Sequence, residues 1–282
     1  MKFVRYGEKN KELPGVIDRD GLLRDLSDLV TDITPETLAP SSLERLKGIN
    51  TDNLPFVNGN VRLGVPVKGI PKIMAVGQNY LNHILEMGYE PPTEPVIFNK
   101  AISSLTGPYD PMVKPKTSTK MDYEVELAAI FSTVAVNVSE EDALSHVAGY
   151  ALFNDGSERA YQRERAGGTT KGKSCDTFGP LGPYLVTADE VGDPQNLGIW
   201  TKVNGEMRQS GHTSDMVFTM AQLISYVSEF MSFQPGDVLT TGSPHGVAAG
   251  FTPPKWLQPG DVIEMGIDGL GEQRHEVIAY SS

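Results

Sequence analysis

The chain has 282 residues and a formal charge of −12, from 24 basic and 36 acidic side chains. That balance argues against nucleic acid or an anionic membrane surface as a partner, both of which require a basic patch, and leaves open a small anion held in one local pocket. With 39% hydrophobic and 21% charged residues, 29 Gly and 20 Pro, the composition is that of a globular protein rich in turns and strands. A chain of this size buries enough surface to need no staples, and Cys175, the single cysteine, allows no internal disulfide. The first fifteen residues lack the apolar stretch of a signal peptide, and no segment approaches the ~20 apolar residues of a membrane span. A cytoplasmic location is the expectation.

In chain order, residues 1–68 read as a small N-terminal α+β unit and 69–282 as the larger, catalytic one. Apolar runs at 1–6 and 15–18 around a polar turn suggest a hairpin. Residues 34–47 suggest one or two short helices capped by Thr34 or Ser41, and the turn-rich stretch 50–59 reads as a linker. Residues 72–76 are a buried-strand candidate ending at Gly77, followed by a helix over 80–87 that stops at Gly88. Residues 96–98 are a strand fragment. Residues 123–131 alternate at first and then become continuously apolar, which marks a strand entering the core. Ser139 caps a helix over 139–146 with Glu140, Glu141 and Asp142 in its first turn. Residues 147–154 are another core strand, and 157–165 a polar helix before a Gly-rich loop reaching Gly172. Ser214 or Asp215 caps a helix over 216–231 whose Val217, Met220, Leu223, Ile224 and Val227 keep helical spacing. The sequence Gln-Pro-Gly-Asp-Val occurs at Gln234 and again at Gln258, suggesting two similar turns that deliver short strands to one sheet. Strands and helices do not alternate strictly, so a mixed, largely antiparallel, β-rich α+β fold is expected rather than a parallel doubly wound sheet.

Glu124 and Glu126 sit two apart on a strand, hence on one face about 6.6 Å apart. A solvent-facing strand edge is the commoner arrangement, but apolar core follows immediately, and Asp155 ends the neighbouring strand. Three carboxylates at the ends of core strands make an oxygen-rich site suited to Mg²⁺, Mn²⁺ or Ca²⁺ and not to structural zinc. His83 and Glu86, three apart on a helix, have the spacing in which a carboxylate orients an imidazole; a surface helix pair is the plainer alternative. His245 lies in the turn 241–246. The letters of a phosphate-binding loop at Gly167 and Gly172-Lys173-Ser174 lack the flanking strand and long helix that such a loop needs. Cys175 reads as a small buried thiol.

The segments VGQNYLNHILEMG (76–88), FNK (98–100), DYEVELA (122–128), NDGSERAYQ (154–162), KGKSCDTFGPLGP (171–183), VNGEMRQSGHTSDMVF (203–218) and PGDVLTTGSPHGV (235–247), in this order, resemble the fumarylacetoacetate hydrolase superfamily. SERAYQRER and KGKSCDTFGPLGP resemble its sugar-acid branch, which includes hydrolases of 2,4-diketo-3-deoxy-L-fuconate and L-rhamnonate. The resemblance implies a β-roll or sandwich with a small N-terminal domain, and one Mg²⁺ or Mn²⁺ held by Glu124, Glu126 and Asp155. It implies a water-activating dyad, His83 and Glu86, on a lid helix. Lys173 would stand near the metal-bound oxygens and Gln162 beside the developing enolate, with Gln78, Lys100, Thr241, Gly242 and Ser243 at substrate-contacting positions. The implied reaction is hydrolysis of the C3–C4 bond of a 2,4-diketo acid to pyruvate and a hydroxy acid such as lactate. Alternatives are an oxaloacetate decarboxylase, a 2-hydroxy-diene-dioate isomerase, a ureidoglycolate lyase, or a non-catalytic protein that binds metal and 2-keto acid. A homodimer or higher homo-oligomer is implied as well. The chain departs from the family pattern at Gly156 (Val is usual), at Gly168-Thr169 (often Gln-Trp), at Ser243 (usually Thr) and at His245, so the departures cluster around the substrate.

Overall fold

A computed structural model describes residues 1–281. The expected hairpin forms as strands β1 (Lys2–Tyr6) and β2 (Leu13–Ile17), and β3 (Leu23–Asp25) extends it. The helix expected within 34–47 is confined to α1 (Pro40–Lys47). Neither Thr34 nor Ser41 caps it. Ala39 occupies the cap without a side-chain bond, and Pro40, with no N–H to satisfy, opens the helix. Next come β4 (Ile73–Gly77), α2 (Leu81–Glu86), β5 (Val96–Lys100), β6 (Met112–Lys114), β7 (Val125–Phe131) and β8 (Val147–Asn154). Two short helices, α3 (Arg159–Arg163) and α4 (Thr169–Lys173), precede β9 (Leu185–Thr187), β10 (Gly198–Val203) and β11 (Glu206–His212). The chain ends with α5 (Met220–Phe230), β12 (Val238–Thr240), β13 (Val262–Ile267) and β14 (Gly271–Ala279).

Nine strands form one mixed sheet in the order β3-β2-β1-β9-β8-β7-β12-β4-β5, and five form a second, β11-β10-β13-β14-β6. Every residue of β7 and β8 is buried, as their continuous apolar runs require of strands covered on both faces. The strand alternation of β7 splits its side chains between two cores. Leu127, Ala129 and Phe131 pack with α5 and the five-stranded sheet, while Ala128 and Ile130 pack with Phe3, Val16, Leu43 and Leu46 of the N-terminal segment. The N-terminal strands are thus hydrogen-bonded into the main sheet through β1 and β9, and they share its core.

Two elements differ from expectation. The helix expected over 216–231 begins at Met220, and its cap is Thr219 rather than Ser214 or Asp215. Thr219 and Gln222 form a reciprocal capping box, and the preceding residues are taken elsewhere, with the N–H groups of Val217 and Phe218 donating to Asn79. The two Gln-Pro-Gly-Asp-Val turns are alike locally: Asp237 accepts from the N–H of Gln234 at 2.6 Å and Asp261 from that of Gln258 at 2.7 Å. They do not, however, serve one sheet. The first delivers β12 to the large sheet, between β7 and β4, and the second delivers β13 to the smaller one. No helix among the described residues is long and apolar enough to cross a membrane.

Candidate active site

Antiparallel pairing sets Asn154 opposite Val125, so the end of β8 lies beside the start of β7. Asp155 therefore arrives next to Glu124 and Glu126, its N–H donating to the Glu124 carbonyl at 2.8 Å. One carboxylate oxygen from each of the three residues lies within 4.8 Å of the others, and all three side chains are buried. The exposed strand edge that composition would favour is thereby excluded.

The three carboxylates are not equivalent. Burial would raise Glu124, but Arg159 (Nη2 to Oε1, 2.5 Å) and Lys173 outweigh it and hold the group well below the usual carboxylate range. Asp155 accepts from Lys100 and Lys173, each at 2.5 Å. Glu126 accepts one hydrogen bond, from the Gly242 N–H at 3.1 Å. Burial and the charges of Asp155 and Glu124 push its carboxyl well above the usual range. An all-oxygen donor set in which one buried carboxylate lacks a directly bonded cation fits a hard divalent cation. Cation and carboxylates together would remove the repulsion that Glu126 otherwise carries.

Above the carboxylates stands α2. His83 Nδ1 lies 3.2 Å from Glu86 Oε2, and because a carboxylate only accepts, Nδ1 is the donor, so in the neutral ring Nε2 is the bare nitrogen. Nε2 faces Glu124 Oε1 at 3.9 Å. Glu86 is itself held by the Gly246 N–H, at 2.9 and 3.1 Å to its two oxygens. Gly250 makes room for it: a Cβ there would lie 2.2 Å from the Glu86 carboxyl carbon.

A cavity of about 250 Å³ brings these groups together. Gln78, His83, Glu124, Glu126, Asp155, Gln162, Lys173, Gly242 and Ser243 all line it. Gln78 holds φ +54°, in the left-handed region, where the chain turns from β4 toward α2. Gln162 accepts from Arg159 Nη1 at 3.2 Å through its oxygen, leaving its NH₂ free to donate. Gly172 allows α4 to lie against Gln162, since a Cβ there would be 2.5 Å from the Gln162 Cβ.

Two residues expected at substrate-contacting positions lie outside the cavity lining. Lys100 is fully buried behind Asp155, bonded to that carboxylate and to the carbonyls of Gly156 and Lys173, and it is not part of the cavity wall. Thr241 likewise lies behind the wall, its hydroxyl donating to the Leu127 carbonyl at 3.1 Å. His245 is exposed and outside the cavity. Cys175 is half-buried, its thiol pushed up to about 11 by burial, and it has no part in the site.

Sequence reasoning passed over Arg159, Asp122 and Asn79. Arg159 lies within a segment already singled out, one helical turn from Gln162, and it ties Glu124 to the buried Asp122. Asn79 binds the Thr241 and Phe218 carbonyls and so anchors the base of α2. Its signal was an Asn between a strand end and a helix start.

Residues 72–278 match the family described as fumarylacetoacetate (FAA) hydrolase C-terminal. The chain belongs to the fumarylacetoacetate hydrolase family. Within that family it is 51% identical over 278 residues to the 2,4-didehydro-3-deoxy-L-rhamnonate hydrolase of a Sphingomonas species, covering 98% of this chain and 96% of the relative. Among solved structures, the fumarylacetoacetate hydrolase of Exiguobacterium antarcticum aligns with a TM-score of 0.86 at 36% identity, over 99% of this chain and 100% of that one. The maleylpyruvate hydrolase of a Sphingobium species aligns at 0.83 and 30% identity, over 99% and 100%.

Proposed function

We propose that this member of the fumarylacetoacetate hydrolase family is a hydrolase of the C3–C4 bond of 2,4-diketo acids. The substrate is of the 2,4-didehydro-3-deoxy-L-rhamnonate type, and the products are pyruvate and a hydroxy acid such as lactate. The observation that carries the reading is the His83–Glu86 dyad facing three buried carboxylates across one small cavity. The 51% identity to a hydrolase named for that substrate supports the choice within the class.

Glu124, Glu126 and Asp155 would hold Mg²⁺ or Mn²⁺, which would supply Lewis acidity toward a 2-keto carboxylate. His83 Nε2 takes the proton of a water that attacks C4, while Glu86, fixed by Gly246, holds the imidazole in the tautomer that leaves Nε2 free. As the tetrahedral C4 centre collapses, the C3–C4 electron pair passes into C2–C3 and charge builds on the C2 oxygen. The Lys173 ammonium and the free NH₂ of Gln162 face the cavity and donate to that charge. Protonation at C3 completes pyruvate, and C4 leaves as the carboxylate of the second product.

The test is a panel of 2,4-diketo acids, oxaloacetate and a 2-hydroxy-diene-dioate, each with Mg²⁺ or Mn²⁺, followed by pyruvate release and by ultraviolet absorbance. The reading expects the diketo acids to be cleaved with a kcat/KM at least tenfold above that for any other compound, and no turnover after chelation. Faster decarboxylation of oxaloacetate, or isomerisation without cleavage, would replace hydrolysis with the corresponding activity of the same superfamily.

A further inference from the structure

Gln209, in β11, is completely buried, and its side chain makes four hydrogen bonds. Its Oε1 accepts from the Val125 N–H at 3.2 Å and from the Thr201 hydroxyl at 2.9 Å. Its Nε2 donates to Ser243 Oγ and to the Pro244 carbonyl, each at 2.8 Å. Two of these partners cannot exchange roles: a backbone N–H only donates and a backbone carbonyl only accepts. The amide is therefore fixed in one orientation, and Ser243 Oγ must accept from it. The backbone around it is closely packed. A Cβ on Gly246 would lie 1.8 Å from the Arg208 carbonyl oxygen, and one on Gly211 would lie 2.7 Å from the Pro244 Cβ.

Ser243 is 3% exposed and lines the cavity, and no group among the described residues accepts its hydroxyl proton. With one lone pair engaged by Gln209, the hydroxyl has its proton left for the cavity. We propose that Gln209 is a positioning residue that sets Ser243 as an obligate hydrogen-bond donor to the substrate's carboxylate. The same amide also ties the turn carrying Ser243 to Val125, between the carboxylates of Glu124 and Glu126. The wall that meets the anion and the strand that bears the acidic cluster are thereby held in one register. This inference rests on the 2-keto-acid reading above.

The experiment measures binding of oxalate, a compact dicarboxylate, to full-length protein loaded with Mn²⁺, by calorimetry. The variants are Gln209→Glu, Ser243→Ala and the double mutant. A hydrogen bond to a charged group predicts that Ser243→Ala weakens oxalate about ten- to a hundred-fold. In Gln209→Glu the amide N–H that fixes Ser243 as its acceptor is gone, so the Ser243 hydroxyl can turn its proton to a carboxyl oxygen and away from the cavity. The loss should then approach that of Ser243→Ala, and the double mutant should lose less than about twofold more. Mn²⁺ affinity should stay within about threefold throughout, which a general loosening of the acidic strand would not allow. Gln209→Met, neutral and of similar size, takes the place of Gln209→Glu in the same cycle if the latter does not fold. Equal losses from the Gln209 change with and without Ser243, an oxalate loss that merely follows Mn²⁺ loss, or wild-type affinity in Ser243→Ala would each overturn the assignment. Wild-type protein that binds Mn²⁺ but no oxalate overturns the 2-keto-acid reading, and this inference with it.

Discussion

Glu126 is the residue on which binding and stability pull in opposite directions. Its carboxyl is raised by burial and by Asp155 and Glu124, so the native state retains a proton that the unfolded chain gives up near 4.5. Between those two values the native state binds more protons, and stability falls as pH rises. In metal-free buffer, Glu126→Gln should therefore melt above wild type, by an amount on the order of 1 kcal/mol that widens as pH rises above the carboxylate range. Mn²⁺ titration should show the cost, an affinity at least about tenfold weaker. Calorimetric melts with and without Mn²⁺ check both signs, and a variant less stable than wild type without metal would contradict the account. In the proposed mechanism His83 presents the complementary case, with Nε2 serving as base and not as a metal ligand. His83→Ala should lose about 10²-fold or more in kcat for diketo-acid hydrolysis while oxalate still binds within a few-fold of wild type. A parallel loss of oxalate affinity would make His83 a binding residue instead.

Strand ends do the assembling. The start of β7 and the end of β8 bring the carboxylates together, and Gly156, the next residue, is packed so closely that a Cβ would lie 2.8 Å from Met112 Cε and 3.0 Å from Phe178 Cα. Gly156→Val, which would restore the residue usual in the family, should cost about 1–3 kcal/mol in denaturant unfolding. It should also weaken Mn²⁺, because the strain is applied beside Asp155. A neutral result would show that the Phe178 segment yields freely. The same elements show what the sequence could reveal. The apolar runs of β7 and β8, the carboxylate spacing and the His83–Glu86 spacing are local patterns, legible without coordinates. The start of α5 was misplaced because Ser214 and Asp215 are ordinary capping residues, and nothing local shows that Val217 and Phe218 are claimed by Asn79, 138 and 139 positions away. Arg159, Asn79 and Gln209 were passed over for the same reason: each is a buried polar residue defined by distant partners. Lys100 is expected at the substrate because its neighbours in sequence resemble a motif, and what no local pattern shows is that its ammonium is buried and bonded to Asp155.

At the scale of the molecule, a charged network joins the N-terminal segment to the rest. Arg62 binds Asp110 at 2.6 and 2.8 Å and Glu12 at 2.9 Å, while Arg5 binds Asp32 and Glu12. Burial would raise the Asp110 carboxyl, but hydrogen bonds from Arg62 and from the Gly107 N–H hold it below the usual carboxylate range. A depressed carboxylate stabilises the fold above its unfolded value, and that contribution is lost as pH falls through the folded one. Asp110→Asn should thus lose about 1–3 kcal/mol at pH 7 and show a shallower decline in melting temperature below about pH 4 than wild type. Parallel acid limbs for the two proteins would remove Asp110 from the linkage.

The bond between Glu86 and the Gly246 N–H has a consequence for timing. Helix α2 has six residues, no side-chain N-cap and one buried side chain, Ile84, so by itself it would not persist in water. Its seat against the turn 242–250 is what turns Glu86 toward His83. Lifted from that seat, the imidazole has no partner to fix which nitrogen is bare. In the proposed mechanism the tautomer that bares Nε2 is then conditional on docking rather than a standing property of the chain.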